Sequence, residues 1–263
     1  MHRFAKLIVV AGVALGIGCI DMSSPKGAAS ISVLQLPSPN VVVGDTMRDS
    51  LGVATPLSVI AYDANNAKLA DITALFFISD SSHTAHLNGG SVLIGDKLGS
   101  VQLVGQVGGL QTPPVLVPVT VAPTKFAGVP IKPDTALFVP ISTDSATSVG
   151  SFALAATLKG DTTAALSFVV KYTLSKAPQT KPGSPPAVYL SDIPGHISAV
   201  DTTDATGATR SLVVNSLYLA DPKLLVDGAD TAVVIISTSY KGVPVSGSPI
   251  TVVLPLKASF PVK

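Results

Sequence analysis

The chain has 263 residues, 47% of them hydrophobic and 13% charged, with a formal net charge of +1. That much apolar side chain excludes an intrinsically disordered protein, and that little net charge excludes electrostatic capture of nucleic acid or of an acidic polymer. Aromatic residues make up 5% and Trp is absent, which leaves few stacking platforms for bases or sugars.

All 16 acidic residues are Asp, so the strong helix former Glu is missing, while Gly numbers 22 and Pro 21. With abundant Val, Thr and Ser, the chain is expected to be all-β, built of strands and turns. Its length suits one large domain or two of about 100 residues each. The single cysteine, Cys19, lies near the N-terminus, so no disulfide or thiol chemistry is available to the body of the chain.

Residues 1–18 open with Arg3 and Lys6 and continue through an apolar run from Leu7 to Gly18, the pattern of a secretory signal. The run is shorter than the roughly 20 residues a membrane span needs. The stretch Leu15-Gly16-Ile17-Gly18-Cys19 resembles the lipobox of bacterial lipoproteins, with Gly16 where that family usually has leucine. The resemblance implies lipidation of Cys19, and Ile20 after it implies sorting to the outer membrane. An ordinary signal cut after Gly18 fits the small residues Gly16 and Gly18 as well, and would leave the protein secreted. Residues 19–30 read as a lipidated cysteine and a small, polar tether.

Residues 31–122 read as about seven short strands at spacings near ten residues, the signature of a β-sandwich. Ile31–Leu36 alternates before Pro37 and Pro39, Gly44-Asp45 turns, and Leu57–Tyr62 ends at Asp63-Ala64-Asn65-Asn66. Ile72–Ser79 brings Phe76 and Phe77, and Asn88-Gly89-Gly90 reads as a hairpin turn. Val101–Val107 alternates cleanly up to Gly108-Gly109, and Val115–Val121 closes the unit. Four segments together resemble the group 2 type of bacterial immunoglobulin-like domain: Val43-Gly44-Asp45-Thr46, Ala61-Tyr62-Asp63-Ala64-Asn65, Phe77-Ile78-Ser79-Asp80-Ser81 and Gly99-Ser100-Val101-Gln102-Leu103. The resemblance puts Phe77 at the family's central Trp position, so Phe77 is expected inside and Phe76 outside.

Residues 123–140 are punctuated by proline and are expected to form an extended linker or a first strand. Residues 141–263 read as a second sandwich. Its strands are Phe152–Leu158, Phe168–Leu174, Tyr189–Asp192, Ser211–Leu219, Ala232–Tyr240 and Ile250–Leu256. A turn falls at Gly160–Thr163, and a proline-rich loop at Lys176–Ala187. Thr203–Thr209, with Asp204 and Gly207, resembles a turn of the invasin/intimin type of immunoglobulin-like domain.

No chemistry-bearing constellation assembles. His83 and His86 share one loop and His196 lies in the other half, short of the three or four ligands that zinc requires. The calcium candidates are Asp201, Asp204, Asp227 and Asp230, but Asp at turns has a structural role by default and no Asp-x-Asp-x-Asp-Gly loop is present. No Gly-x-Ser-x-Gly elbow and no phosphate-cradling loop before a helix occur. No catalytic residue, resident metal or cofactor is therefore expected. The reading is a non-catalytic envelope lipoprotein, an adhesion, binding or scaffolding module, whose partners are the membrane, through its lipid, and a protein or glycan of the cell surface. A carbohydrate- or calcium-binding module and a surface hydrolase are the alternatives.

Overall fold

The computed structural model describes residues 27–70, 72–79, 81–128, 137–140, 151–193, 196–215 and 231–259. Cys19, Asp227 and Asp230 lie outside these residues, as does the end of the expected strand Ser211–Leu219. The protein is all-β, with no helix among the described residues.

Nine strands make up the N-terminal half: β1 (Ser30–Gln35), β2 (Val41–Val42), β3 (Ser58–Tyr62), β4 (Leu75–Ile78), β5 (Ala85–Asn88), β6 (Val92–Gly95), β7 (Gly99–Val107), β8 (Leu110–Gln111) and β9 (Val115–Thr120). One layer runs β2-β9-β7-β4, with β8 folded back on β7. The antiparallel pairs β1-β3 and β5-β6 face it. Gly89 and Gly90 take positive φ at the tip of the β5-β6 hairpin, as the Asn-Gly-Gly signal predicts. The core between the layers comes from alternate residues of facing strands: Leu34, Val59 and Ala61 on one side, Val101, Leu103 and Val117 on the other.

Phe76 and Phe77 reverse the sequence expectation. Phe76 enters this core at 9% exposure, whereas Phe77 is 44% exposed on the outer face of the sheet. With a side-chain period of two, a one-residue error in register exchanges the two faces. The β4-β7 pairing sets the outcome, because Phe76 sits opposite Gly105, where the absent side chain leaves room for Val59 and Leu34 from the facing layer.

The C-terminal half contains β10 (Lys125–Gly128), β11 (Leu137–Pro140), β12 (Ser151–Lys159), β13 (Val169–Lys176), β14 (Val188–Ser191), β15 (Val200–Thr202), β16 (Ala208–Val214), β17 (Thr231–Ser237), β18 (Ser239–Tyr240), β19 (Val243–Pro244) and β20 (Ile250–Ser259). One sheet runs β10-β12-β16-β14 and the other β11-β20-β17-β13-β15. The first reproduces the A-B-E-D order of an immunoglobulin sandwich and the second contains its G-F-C order. β11 lies parallel to the last strand, as β2 lies parallel to β9 in the first half. Both ends of the expected connector are therefore strands, and Phe126 of β10 is buried in the second core.

The two long alternating strands β12 and β13 belong to different sheets, so the Gly160–Thr163 turn carries the chain across the sandwich. The same holds for Thr203–Thr209, which links β15 in one sheet to β16 in the other. Alternation with both sheets facing one core gives the buried set Leu154, Val170, Tyr172, Leu212, Val234 and Leu254. Val42, from β2 of the first half, packs in this same second core.

Candidate functional site

The two halves meet at a joint built around Asp45. Gly44 takes φ 75° to turn the chain after β2, and the Asp45 N–H donates to the Val42 carbonyl at 3.0 Å. The turn aims the Asp45 carboxylate at its own flank and at the other half together. From its flank it accepts the Thr46 N–H at 2.9 Å and Arg48 Nη2 at 2.8 Å, with Arg48 Nε at 3.0 and 3.2 Å from its two oxygens. From the C-terminal half it accepts the Tyr240 hydroxyl at 2.6 Å and pairs with Lys241 Nζ at 3.3 Å.

The hairpin β18-β19 delivers these two groups. Tyr240 opposes Val243, and the two residues between them, Lys241 and Gly242, have φ 54° and 73°. Positive φ at both central positions is what a two-residue type I′ turn requires. The Tyr240 ring meets Phe168 edge-on at a centroid distance of 6.0 Å, and Lys241 Nζ stands 5.3 Å from the Tyr240 ring centre. Backbone meets backbone beside this contact. A Cβ on Gly52 would fall 2.1 Å from the Lys241 carbonyl carbon, and one on Gly242 would fall 2.4 Å from the Leu51 carbonyl oxygen.

The electrostatics follow from this geometry. Burial by itself would push the Asp45 carboxyl up. The hydrogen bonds from Arg48, Tyr240, Thr46 and Lys241 outweigh that and hold it far below the usual carboxylate range. Burial pushes the Tyr240 phenol up, and its bond to the Asp45 carboxylate adds to the effect. Asp45 is thus a fixed anion, and Tyr240 a fixed donor.

Two more buried polar residues complete the joint. Asn40 Nδ2 donates to the Leu166 carbonyl at 2.8 Å, and Thr120 Oγ1 accepts the Leu166 N–H at 2.9 Å. Both side chains come from the first half, are at most 4% exposed, and satisfy one residue of the second.

Beside the joint lies a cleft of about 500 Å³, walled by the Pro37–Val42 segment on one side and by Phe168, Ile235 and Ser237–Gly242 on the other. Apolar residues such as Val41, Val42, Phe168 and Ile235 line it together with Arg48, Lys171 and Lys241. Arg48 is committed to Asp45 and, through Nη1, to the Gly52 carbonyl at 2.9 Å. The Asp49 carboxylate is committed to the Leu51 and Val53 N–H groups. A cleft of this size can hold a small molecule.

The residues singled out from sequence lie elsewhere. His86 pairs with Asp96 at 2.9 Å and His196 with Asp192 at 2.7 Å, both on the surface. Asp204 accepts the Thr206 and Gly207 N–H groups and so closes its own turn. Asp201 accepts the Thr209 N–H and pairs with Arg210 at 3.1 Å. Among the described residues no three His, Cys, Asp or Glu side chains converge. Sequence reasoning missed Arg48, Tyr240 and Lys241 altogether and saw Asp45 only as a turn residue. The available signals were Arg three places after Asp45 and the Lys-Gly pair between two short strands.

The chain matches no protein-family profile and no curated protein. Among solved structures it is similar to the Yersinia pseudotuberculosis adhesin InvE, at 16% identity and a TM-score of 0.33. That alignment covers 88% of this chain and 60% of the adhesin, so the chain spans under two thirds of it. It is also similar to domains 4 and 5 of the S-layer protein SbsC, at 13% identity and a TM-score of 0.32, covering 88% of this chain and 99% of that one. The D0-D1 domain of intimin aligns at 14% identity and a TM-score of 0.26, covering 87% and 98%.

Proposed function

We propose that the chain is a non-catalytic cell-envelope lipoprotein, an adhesion, binding or scaffolding module anchored through a lipid on Cys19. The observation that carries this reading is the Asp45 joint. Asp45 is engaged by Arg48 of its own half and by Tyr240 and Lys241 of the other, which suits a part whose work is to hold a shape. Of the groups that meet Asp45, the Tyr240 hydroxyl and Lys241 come from the other half, and a hydrogen bond to a charged group such as Tyr240's contributes about 1.5–3 kcal/mol. Rigid sandwiches with loops at their ends are scaffolds on which binding surfaces are displayed.

The lipid reading adds a length. Ten residues lie between Cys19 and Ser30, where β1 begins, so the first sandwich stands at most about 40 Å from the bilayer. Two or more acyl chains anchor stably, each buried CH₂ contributing about 0.8 kcal/mol. Cell fractionation tests the reading. The native protein should sediment with membranes, and Cys19→Ser should move it to the soluble fraction. An unchanged distribution rejects the anchor.

A further inference from the structure

The sheet edges of this molecule are not alike. The edge at β15 is closed by its neighbour β16, where the Thr209 N–H donates to Asp201 at 2.7 Å and the Arg210 guanidinium donates to the Val200 carbonyl. The edge at β10 carries Lys125. Charged or covered edges of this kind keep sheets from pairing with other chains. Among the described residues β4 has no such protection. It ends the row β2-β9-β7-β4, and Ile72–Ser79 contains no charged residue and no proline. Its outward side chains, Leu75 and Phe77, are 56% and 44% exposed.

The hydrogen bonds show which backbone groups leave this edge. The Ser79 N–H donates to the Gln102 carbonyl at 2.9 Å, so Ser79 and Gln102 are a bonded pair. Bonded and non-bonded pairs alternate along an antiparallel ladder, which makes Phe77–Val104 and Leu75–Gln106 bonded pairs as well. Gly105, opposite Phe76, turns both its groups away from β4. Its N–H donates to Thr112 Oγ1 at 3.0 Å, and its carbonyl accepts the Thr112 N–H at 2.8 Å. The N–H and C=O groups of Phe76 and Ile78 therefore leave β4 on its open side, and the same alternation adds Ala74. Among the described residues no hydrogen bond reaches them.

We propose that this edge pairs with the same edge of a second copy of the chain, antiparallel and about a two-fold axis, with Phe76 opposite Phe76 of the copy. That register uses all three outward residues, because Ala74 then faces Ile78 of the copy and Ile78 faces its Ala74. It also places Leu75 against Phe77 of the copy, twice by symmetry, at the non-bonded sites where side chains approach closest. A shift of one residue sets outward-pointing groups against inward-pointing ones and turns Leu75 and Phe77 to the core side. A shift of two leaves one outward residue without a partner. An unrelated strand could meet the backbone groups equally, but the reciprocal Leu75–Phe77 match is a property of this strand against itself. The pairing joins two molecules through one continuous sheet. It deepens the scaffolding reading above and rests on it for its setting in the envelope.

Sedimentation velocity over a wide concentration range tests this, on the full chain as the cell processes it and carrying Cys19→Ser. Ala74→Pro removes an outward N–H that the chain itself does not use, and proline is tolerated at such an edge. Phe77→Lys puts a charge on an already exposed position. The parent protein should pass from monomer to dimer as concentration rises. Both variants should remain monomeric with melting temperatures close to the parent's. A parent that stays monomeric, or a dimer that survives either substitution, overturns the proposal. Amide exchange at Phe76 and Ile78 gives the answer without a substitution. It should slow as the dimer forms, and concentration-independent exchange counts equally against pairing at this edge. A monomer that still fractionates with membranes when Cys19 is intact removes the strand pairing and leaves the envelope reading standing. A dimer whose Cys19 form does not fractionate with membranes does the reverse.

Discussion

The Tyr240 hydroxyl donates a 2.6 Å hydrogen bond to the Asp45 carboxylate across 195 positions of sequence, and so ties the tip of a C-terminal hairpin to the first turn of the N-terminal sandwich. Tyr240→Phe keeps the ring against Phe168 and removes that bond alone. Asp45 retains Arg48, Lys241 and the Thr46 N–H, so the expected loss lies at the low end for a charged acceptor, about 1.5–2 kcal/mol. Denaturant melts measure it, and an unchanged midpoint would mean that the joint does not depend on the phenol.

Acid should undo the joint late. Asp45 is held far below the usual carboxylate range when folded, while in the unfolded chain it titrates near the ordinary value of about 3.9. Between those values the unfolded state binds more protons, so stability falls as pH falls. The contribution is complete above the unfolded pKa and is lost progressively below about pH 4. The stability gap between the parent and Asp45→Asn should accordingly stay constant from neutral pH to about 5 and close in stronger acid. A gap that closes near neutrality would place the relevant titration on another group.

Gly52 should tolerate no side chain. Its φ is 83°, and an added Cβ would lie 2.1 Å from the Lys241 carbonyl carbon. Backbone strain and overpacking each cost about 1–3 kcal/mol, so Gly52→Ala should destabilise by about 2–5 kcal/mol or spring the joint open. Gly89→Ala is the control, since Gly89 has φ 57° but open space around it. It should show the strain without the collision. Melting curves and small-angle scattering of the two variants separate these effects, and equal behaviour of the two would deny the close approach.

Phe76 and Phe77 should differ sharply. Phe76→Ala empties a core position and should cost about 3–5 kcal/mol, a large part of the 5–15 kcal/mol typical of a domain. Phe77→Ala leaves the core intact and should cost under about 1 kcal/mol in the monomer. Dilute-solution denaturant melts decide between them. The reverse order would return Phe77 to the interior.

Much of the fold is legible in the residues themselves. Asp as the sole acid, the wealth of Gly, Pro and β-branched residues, and the period-two alternation at Val101–Val107 and Phe152–Leu158 state an all-β chain with strands close to where they fall. These are local properties, since propensity and pleat act within a few residues. The Asn88-Gly89-Gly90 turn and the Asp204 turn were legible for the same reason, because their hydrogen bonds close within the turn.

Pairing and long-range contact are a different matter. Phe76 and Phe77 are equivalent in a local reading, and which one enters the core is settled by β7, through the space at Gly105. Asp45, Arg48, Tyr240 and Lys241 carry no mark in sequence that they belong together. A charged cluster costs desolvation unless every partner is in place, and the partners arrive only when both sandwiches have formed and the β18-β19 hairpin is docked. Strands and turns, and the lack of helix among the described residues, follow from each residue's own backbone preferences. The tertiary structure alone decided the faces, the joint and the open edge at β4, because each depends on what a distant strand places opposite.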